Sequence, residues 1–219
     1  MSEAFIVTID GPAGVGKTTL AKRLADRLEV AYLDTGAMFR GVAWSLGEGS
    51  WNKPVEELQV AMDSMSFELT GSGRDSLLLL NGTPLDERIR TEKVGLWASN
   101  VGTLPVVRTF LKQAQHAIGQ DTSLVAEGRD MGTVVFPKAQ RKFFLDATPE
   151  ERARRRYRQL KEQGEKADHD DILLQIKIRD AQDRNRPIAP LVAAEDAITI
   201  DTTHLDPDGV FQAMLKHLK

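Results

Sequence analysis

Short apolar runs alternate with helix-like stretches along this chain. The apolar runs predict buried strands, at residues 5–9, 30–33, 124–126, 142–145 and 197–200. The intervening stretches predict helices, at residues 17–28, 36–46, 91–118 (broken near 102–105), 150–163, 171–183 and 207–218. Because strands and helices alternate, we expect an α/β fold with a mainly parallel sheet flanked by helices.

One segment departs from that alternation. Three strand-like runs, at residues 67–70, 77–80 and 83–85, are separated by the turns Gly71-Ser-Gly73 and Asn81-Gly82. This pattern predicts a small antiparallel sheet inserted at about residues 63–90. We expect a single domain over residues 1–219, whose core comprises about 1–62, 91–150 and 184–219.

Composition narrows the function classes. The formal net charge is −3, so the protein as a whole does not match long nucleic acid or an anionic membrane. The absence of cysteine excludes a disulfide framework and a thiolate nucleophile. The first residues lack the basic start and long apolar region of a signal peptide, and no run approaches a membrane span. We therefore expect a soluble, cytoplasmic protein.

A glycine-rich loop carries the most specific motif. Residues 11–18, Gly-Pro-Ala-Gly-Val-Gly-Lys-Thr, match G-x-x-x-x-G-K-[ST] between a predicted strand and a predicted helix. Its backbone N–H groups would surround phosphate, Lys17 would bridge the β- and γ-phosphates, and Thr18 would hold Mg²⁺ directly or through water. The predicted ATP-binding residues here are Gly11, Pro12, Ala13, Gly14, Val15, Gly16, Lys17, Thr18 and Thr19.

Such a loop serves kinases, GTPase switches and motors alike. The alternative to a nucleotide-binding loop is a glycine-rich turn that only caps a helix, and the strand-loop-helix context disfavours it. Asn52-Lys53 is followed by Pro54-Val55, so the guanine-reading Asn-Lys-x-Asp is missing. A motor would need a longer chain. A small-molecule kinase fits the length best.

A kinase must neutralise the charge of two anionic substrates, and arginines suit that task. Arg40 and Arg129 each follow a predicted strand, where open α/β sheets bind ligands. Residues 179–186 form a tight arginine and aspartate cluster, which favours function. The five arginines within 152–158 fit a solvated helix face as well as a phosphate contact.

These motifs resemble the bacterial cytidylate kinases, a branch of the nucleoside monophosphate kinases. The matching stretches are residues 9–17, 33–40, 127–137, 144–147, 151–153, 183–186 and 189–191. They occur in family order across nearly the whole chain, and Gly128-Arg-Asp-Met-Gly-Thr-Val-Val-Phe-Pro137 is highly specific. The resemblance implies a P-loop fold whose 63–90 insertion belongs to the CMP-binding region, and a helical lid at about residues 151–183.

The resemblance also implies an activity, transfer of the ATP γ-phosphate to CMP or dCMP with Mg²⁺, and roles for residues. The implied catalytic residues are Lys17, Arg129 and Arg40, and the implied lid contacts to ATP are Arg154, Arg158 and Arg184. Arg40 and Arg129 would grip the CMP phosphate, and Arg179 and Asp183 would meet the ribose. Asp130 would accept from the cytosine amino group while Arg108 and Ser99 donate to its O2 and N3. The implied CMP-binding set is Thr35, Arg40, Ser99, Arg108, Arg129, Asp130, Arg179, Asp183 and Arg186.

Two other functions stay open from the residues. One is a P-loop kinase of another small acceptor, similar to shikimate kinase, which would not need the enlarged insertion. The other is a nucleotide-dependent switch, which would hydrolyse slowly without acceptor stimulation. We expect a monomer whose partners are small nucleotides, with no long nucleic acid and no membrane.

Overall fold

The computed structural model describes residues 4–218 and contains two sheets. The strands are β1 (Ile6–Asp10), β2 (Ala31–Asp34), β3 (Phe67–Thr70), β4 (Leu77–Leu80), β5 (Thr83–Pro84), β6 (Leu124–Gly128), β7 (Arg141–Asp146) and β8 (Ile198–Asp201). The larger sheet is parallel throughout, in the order β2-β6-β1-β7-β8. Its central strand, β1, leads into the glycine-rich loop, which therefore lies at the middle of the sheet edge where ligands bind in this class of fold.

Eight α-helices surround the sheets in the described part of the chain. They are α1 (Lys17–Leu28), α2 (Thr35–Leu46), α3 (Val55–Asp63), α4 (Glu92–Val101), α5 (Pro105–Asp121), α6 (Pro149–Glu162), α7 (His169–Asn185) and α8 (Pro207–Leu215). Several begin at side-chain caps that the sequence supplies locally. Asp34 accepts a hydrogen bond from the Ala37 backbone N–H at the start of α2, and Asp168 does the same for the Asp170 and Asp171 N–H groups at the start of α7.

The two faces of the parallel sheet are buried against different helices. Along β6, Leu124 and Ala126 join a core built with α2, α3, α4 and α5, whereas Val125 joins a core built with α1 and α8. This alternation is the two-residue periodicity of a strand covered on both faces. The sheet is thereby held rigid from both sides, and its carboxyl edge is left free for the site.

The small sheet packs on α2. Its strands run antiparallel in the order β3-β4-β5, and β4 turns into β5 at Asn81-Gly82, where both residues have positive φ angles of 51° and 72°. A Cβ atom at Gly41 would lie 3.1 Å from a Leu85 methyl group, so this glycine lets the insertion approach the helix that carries Arg40 closely.

Most predicted elements are confirmed. The parallel sheet, the antiparallel insertion and the break between α4 and α5 all occur as expected. The sequence reasoning missed α3 and a π-helical turn at Met131–Val135. It also ended β6 two residues early, since Glu127 and Gly128 belong to the strand. Met1–Glu3 and Lys219, the ends of the predicted single domain, lie outside the described residues. Within residues 4–218, no helix is both long enough and apolar enough to cross a bilayer.

Candidate active site

The predicted site residues converge at the carboxyl edge of the parallel sheet. The glycine-rich loop follows β1, Thr35 follows β2, and Arg129 and Asp130 follow β6. In the sheet β6 lies between β2 and β1, so these three connections are neighbours. Helix α7 brings Arg179 and Asp183 to the same edge, because Arg129 donates a 2.9 Å hydrogen bond to Asp183.

The glycine-rich loop has the conformation that phosphate binding requires. Gly16 precedes α1 with φ 94°, a left-handed conformation that favours glycine. A Cβ atom at Gly11 would lie 2.1 Å from the backbone oxygen of Leu145, so only glycine fits beside β7 there. The loop therefore opens directly onto a helix N-terminus, whose free N–H groups and dipole attract anions.

Lys17 is folded back onto this loop. Its Nζ donates to the backbone oxygens of Gly11 and Pro12, both at 2.7 Å. Lys17 is only 7% exposed. Burial lowers the pKa of Lys17 well below its usual range, and the positive charge of Arg129 lowers it further. A cation under these conditions gains from a neighbouring anion, which supports the predicted phosphate contact.

Three arginines form a concentrated positive group next to Lys17. Burial lowers the pKa of Arg179 to about 10, and the charges of Arg129 and Arg40 contribute to that shift. Burial likewise lowers the pKa of Arg40. The Nε atoms of Arg40 and Arg179 are both buried without a hydrogen-bond partner. Buried donors without partners are costly, so this group, which we call the arginine triad (Arg40, Arg129 and Arg179), is suited to a multiply charged anion.

Two carboxylates of the site, those of Asp130 and Asp183, are surrounded by arginines. Asp130, 3% exposed, accepts from Arg108 through one oxygen and from Arg186 through the other, at 3.3 Å. Burial would raise the pKa of Asp183, but the charge and hydrogen bond of Arg129, together with the charges of Arg179 and Arg186, hold that pKa below its usual value. Both aspartates therefore accept hydrogen bonds from surrounding guanidinium groups.

Two predicted hydroxyl residues have their protons engaged within the protein. Thr35 Oγ1 donates to the backbone oxygen of Glu127 at 2.6 Å. Ser99 Oγ, on α4, donates to Gln182 Oε1, on α7, at 3.0 Å. Arg108, which follows in α5, donates to the Gly102 carbonyl at the end of α4 at 3.1 Å, so it lies at the same helix end as Ser99.

A group of oxygen atoms lies where β2, β6 and α1 meet. Thr18 Oγ1 donates to Glu127 Oε1 at 2.7 Å, and the Tyr32 hydroxyl donates to the same carboxylate oxygen. Burial raises the pKa of Glu127, and the charge of Asp34 adds to the effect. A cation at this position would relieve both penalties.

The three arginines predicted to contact ATP are more exposed. Arg154 pairs with Glu151 on its own helix at 2.7 Å, and Arg184 pairs with Asp146 at the end of β7 at 3.2 Å. Arg158 is exposed on α6. Of the three, only Arg184 lines a cavity of about 470 Å³, which also touches Ala147 and Arg152.

Sequence reasoning missed three residues of this region. Arg90 donates to Asp34 at 3.1 Å, and its charge acts on Arg40. Asp10 accepts from the backbone N–H groups of Met131 and Gly132, at 2.9 and 2.8 Å. Gln182 contacts Ser99 as described. Only Asp10 gave a usable signal, since it directly precedes the glycine-rich loop.

Residues 7–219 match the family model described as cytidylate kinase. The chain belongs to the cytidylate kinase family. A protein named cytidylate kinase from Maridesulfovibrio salexigens is 61% identical over 98% of this chain and 96% of its own length. One from Oleidesulfovibrio alaskensis is 58% identical over the whole of both chains, and one from Haemophilus ducreyi is 42% identical over 98% of this chain and 96% of its own length.

Membership in the cytidylate kinase family agrees with the resemblance drawn from the motifs. Among solved structures, a shikimate kinase from Bacteroides thetaiotaomicron aligns over 98% of both chains at 14% identity and a TM-score of 0.48. Those values are too low to bear on which small molecule accepts phosphate.

Proposed function

We propose that this cytidylate kinase family member transfers the γ-phosphoryl group of ATP to CMP or dCMP, giving ADP and CDP or dCDP. The observation that carries the proposal is the electrostatic interaction of Lys17 with two members of the arginine triad, Arg129 and Arg179. Arg129 and Arg179 both lower the pKa of Lys17, so the phosphate loop and a second anion-binding group share one electrostatic environment. A site for two phosphorylated substrates requires this arrangement.

The reaction needs little covalent help from the protein. A phosphate oxygen of CMP, already anionic at neutral pH, attacks the γ-phosphorus, and the bond from that phosphorus to the β,γ-bridging oxygen breaks to release ADP. No general base is required. The contribution of Lys17, Arg40 and Arg129 is to bring the two phosphates together and to stabilise the charge on the transferred group.

For ATP, the triphosphate is assigned to residues 11–19, and the remainder of the nucleotide to the adjoining cavity. Arg152 lines that cavity and donates to the Ala13 carbonyl of the loop at 3.1 Å, so one side chain contacts both the cavity and the loop. Arg184 lies in the cavity wall, which supports its predicted contact with ATP. Arg154 and Arg158 stay predictions that depend on movement of the α6–α7 lid, whose closure would exclude water as a competing acceptor.

For CMP, the arginine triad is assigned to the phosphate. The mutual effect of Arg40, Arg129 and Arg179 supports a phosphate role for Arg179 in addition to the predicted ribose contact. Asp183 is assigned to the ribose. Asp130, Arg108, Arg186 and Ser99 are assigned to cytosine, whose N4 amino group is a donor that pairs with a fixed carboxylate. Uracil would place a carbonyl oxygen against a carboxylate oxygen of Asp130, and two acceptors cannot hydrogen-bond to each other.

The residues present fit Mg²⁺. Thr18 and Glu127 offer hydroxyl and carboxylate oxygens, the ligand types that this ion prefers, directly or through water. Residues 4–218 contain no cluster of three or more His, Cys, Asp or Glu side chains suited to a metal. When bound, Mg²⁺ would supply charge neutralisation at the β- and γ-phosphates.

The kinase proposal is tested by measuring ADP release with ATP alone and with CMP, dCMP, AMP or shikimate added. We expect CMP and dCMP to stimulate ADP release strongly, and AMP and shikimate to leave it at the level of ATP alone. A slow release that no acceptor stimulates would favour a nucleotide-dependent switch. Stimulation by shikimate would favour the other kinase class.

We further propose that the protein acts as a monomer in the cytoplasm, with no long nucleic acid or membrane as partner. The mildly acidic net charge of −3 supports the absence of long nucleic acid and anionic membrane partners. Light scattering behind size exclusion tests the monomeric state, and a mass of twice the chain's would contradict that state.

A further inference from the structure

The hydrogen bond between Ser99 and Gln182 crosses the site between two helices. Ser99 lies on α4 and Gln182 on α7, 83 residues apart in sequence, and both are half-buried. Gln182 directly precedes Asp183, which accepts from Arg129, while Ser99 lies one turn before Gly102, which accepts from Arg108. The pair therefore stands in the wall of the region assigned to cytosine.

The direction of this bond limits what Ser99 can do. A serine hydroxyl has one proton and two lone pairs, and it normally rotates to donate or to accept as its neighbour requires. Here the proton is given to Gln182 Oε1, so only the lone pairs stay available to a ligand. In this arrangement the Ser99 hydroxyl presents an acceptor to a ligand, whereas the family resemblance implies a donor to cytosine.

An acceptor-only hydroxyl distinguishes the two pyrimidines. Cytosine carries an amino group at position 4 with two hydrogens, whereas uracil carries a carbonyl oxygen there. Asp130 and an acceptor Ser99 together match the two hydrogens of that amino group. A freely rotating Ser99 would instead turn its proton toward the uracil carbonyl and accommodate UMP.

We infer that Gln182 is a specificity-determining residue, which fixes the Ser99 hydroxyl as an acceptor and so disfavours UMP. Gln182 acts through Ser99 and is a positioning residue in this respect. The inference rests on the proposed function, since it requires Ser99 to face the base.

The test measures the ratio of kcat/KM for CMP to kcat/KM for UMP in four variants. Gln182→Met keeps the side-chain length and removes the acceptor, so we expect the ratio to fall about tenfold. Gln182→Glu keeps an acceptor at the same reach and is the matched control. Its added charge beside Asp183 affects both nucleotides alike, so we expect the ratio to stay near that of the unaltered protein. Thermal unfolding verifies that the variants are folded.

Ser99→Ala and the double variant separate the two levels of the proposal. We expect Ser99→Ala to lower the ratio, and Gln182→Met to have no further effect in the Ser99→Ala background, since its effect passes through the hydroxyl. If Ser99→Ala leaves the ratio unchanged, the base-reading assignment fails and this inference fails with it. If Ser99→Ala lowers the ratio but Gln182→Met does not, the inference is overturned while the proposed function stands.

Discussion

The guanidinium group of Arg152 is paired with the carboxylate of Asp180. Arg152 Nη1 donates to Asp180 Oδ1 at 2.9 Å, Nη2 donates to Oδ2, and the same side chain also donates to the carbonyl groups of Ala13 and Ala147. Arg152 is 1% exposed. One buried side chain therefore ties the phosphate loop and the start of α6 to α7, the helix that carries Arg179 and Asp183.

Loss of this pair is expected to destabilise the fold. Asp180→Asn leaves the buried Arg152 charge without its counter-ion, and removing one member of a buried pair costs about 3–5 kcal/mol of unfolding free energy. Urea denaturation measures the change. Lys177→Met is the matched control, because Lys177 and Glu150 form an exposed pair between the same two helices. Equal losses in the two variants would show that the Arg152 pair has no special structural role.

Lys17→Met is expected to abolish most phosphoryl transfer while the protein stays folded. The Nζ of Lys17 is the only group removed from the phosphate loop, and loss of one such charge-stabilising donor lowers kcat by about 10²–10³-fold or more. The measurement is CMP-dependent ADP release, with circular dichroism to verify the fold. Lys93→Met, which removes an exposed lysine from α4, serves as control and should behave like the unaltered protein.

Arg129→Ala is expected to act chiefly on CMP. Arg129 belongs to the arginine triad and holds Asp183 in place, so its loss should reduce kcat/KM for CMP roughly 100-fold, with a much smaller change in KM for ATP. Steady-state kinetics with each substrate varied in turn provide the comparison. Arg74→Ala removes an exposed arginine that pairs with Asp26 near the carboxyl end of α1, and it should have no effect. Unchanged CMP kinetics in Arg129→Ala would refute the acceptor-phosphate assignment.

Asp10 is expected to make stability fall as pH rises from about 4 to 6. Burial raises the pKa of Asp10 from 3.8 to about 6, despite hydrogen bonds from Met131 and Gly132 that favour the charged form. Between those values the folded state keeps a proton that the unfolded state has lost, so the stabilisation present below pH 3.8 is lost as the pH rises through 6.

The Asp10 effect is measured by denaturation of the unaltered protein and of Asp10→Asn at several pH values between 4 and 7. The unaltered protein should lose stability relative to the variant across that range, because only the unaltered protein has the titrating group. Parallel curves for the two proteins would contradict the raised pKa. A carbon-13 NMR titration of the Asp10 carboxyl gives an independent midpoint.

Local sequence patterns predict much of this fold. The strands of the parallel sheet are compact apolar runs, and the phosphate loop needs glycine at positions such as Gly16 for reasons that one motif captures. Helix α3 was missed because it buries only Leu58 and Met62, and two apolar positions are too few to establish a helical periodicity. The π-helical turn at Met131–Val135 follows Asp130 and is held by Asp10, more than 120 residues earlier, so no local pattern encodes it.

The candidate site divides in the same way. Lys17, Arg40 and Arg129 follow strand ends, and sequence position alone places them at one sheet edge. The partners that define their chemistry come from distant elements. Asp130 accepts hydrogen bonds from Arg108 and Arg186, which lie 22 and 56 residues away in sequence. Ser99 donates to Gln182, which lies 83 residues away. Those pairings depend on how α4, α5 and α7 pack, which the sequence of each helix does not specify.

The central claim is ATP-dependent phosphorylation of CMP at a base-selective site. It is tested most directly by giving the protein ATP with equal concentrations of CMP and UMP and measuring CDP and UDP during the first turnovers. The ratio of the two products equals the ratio of their kcat/KM values. We predict at least about a tenfold excess of CDP, since uracil leaves the charge of Asp130 facing a carbonyl. Equal amounts of CDP and UDP, or no nucleoside diphosphate other than ADP, would contradict the claim.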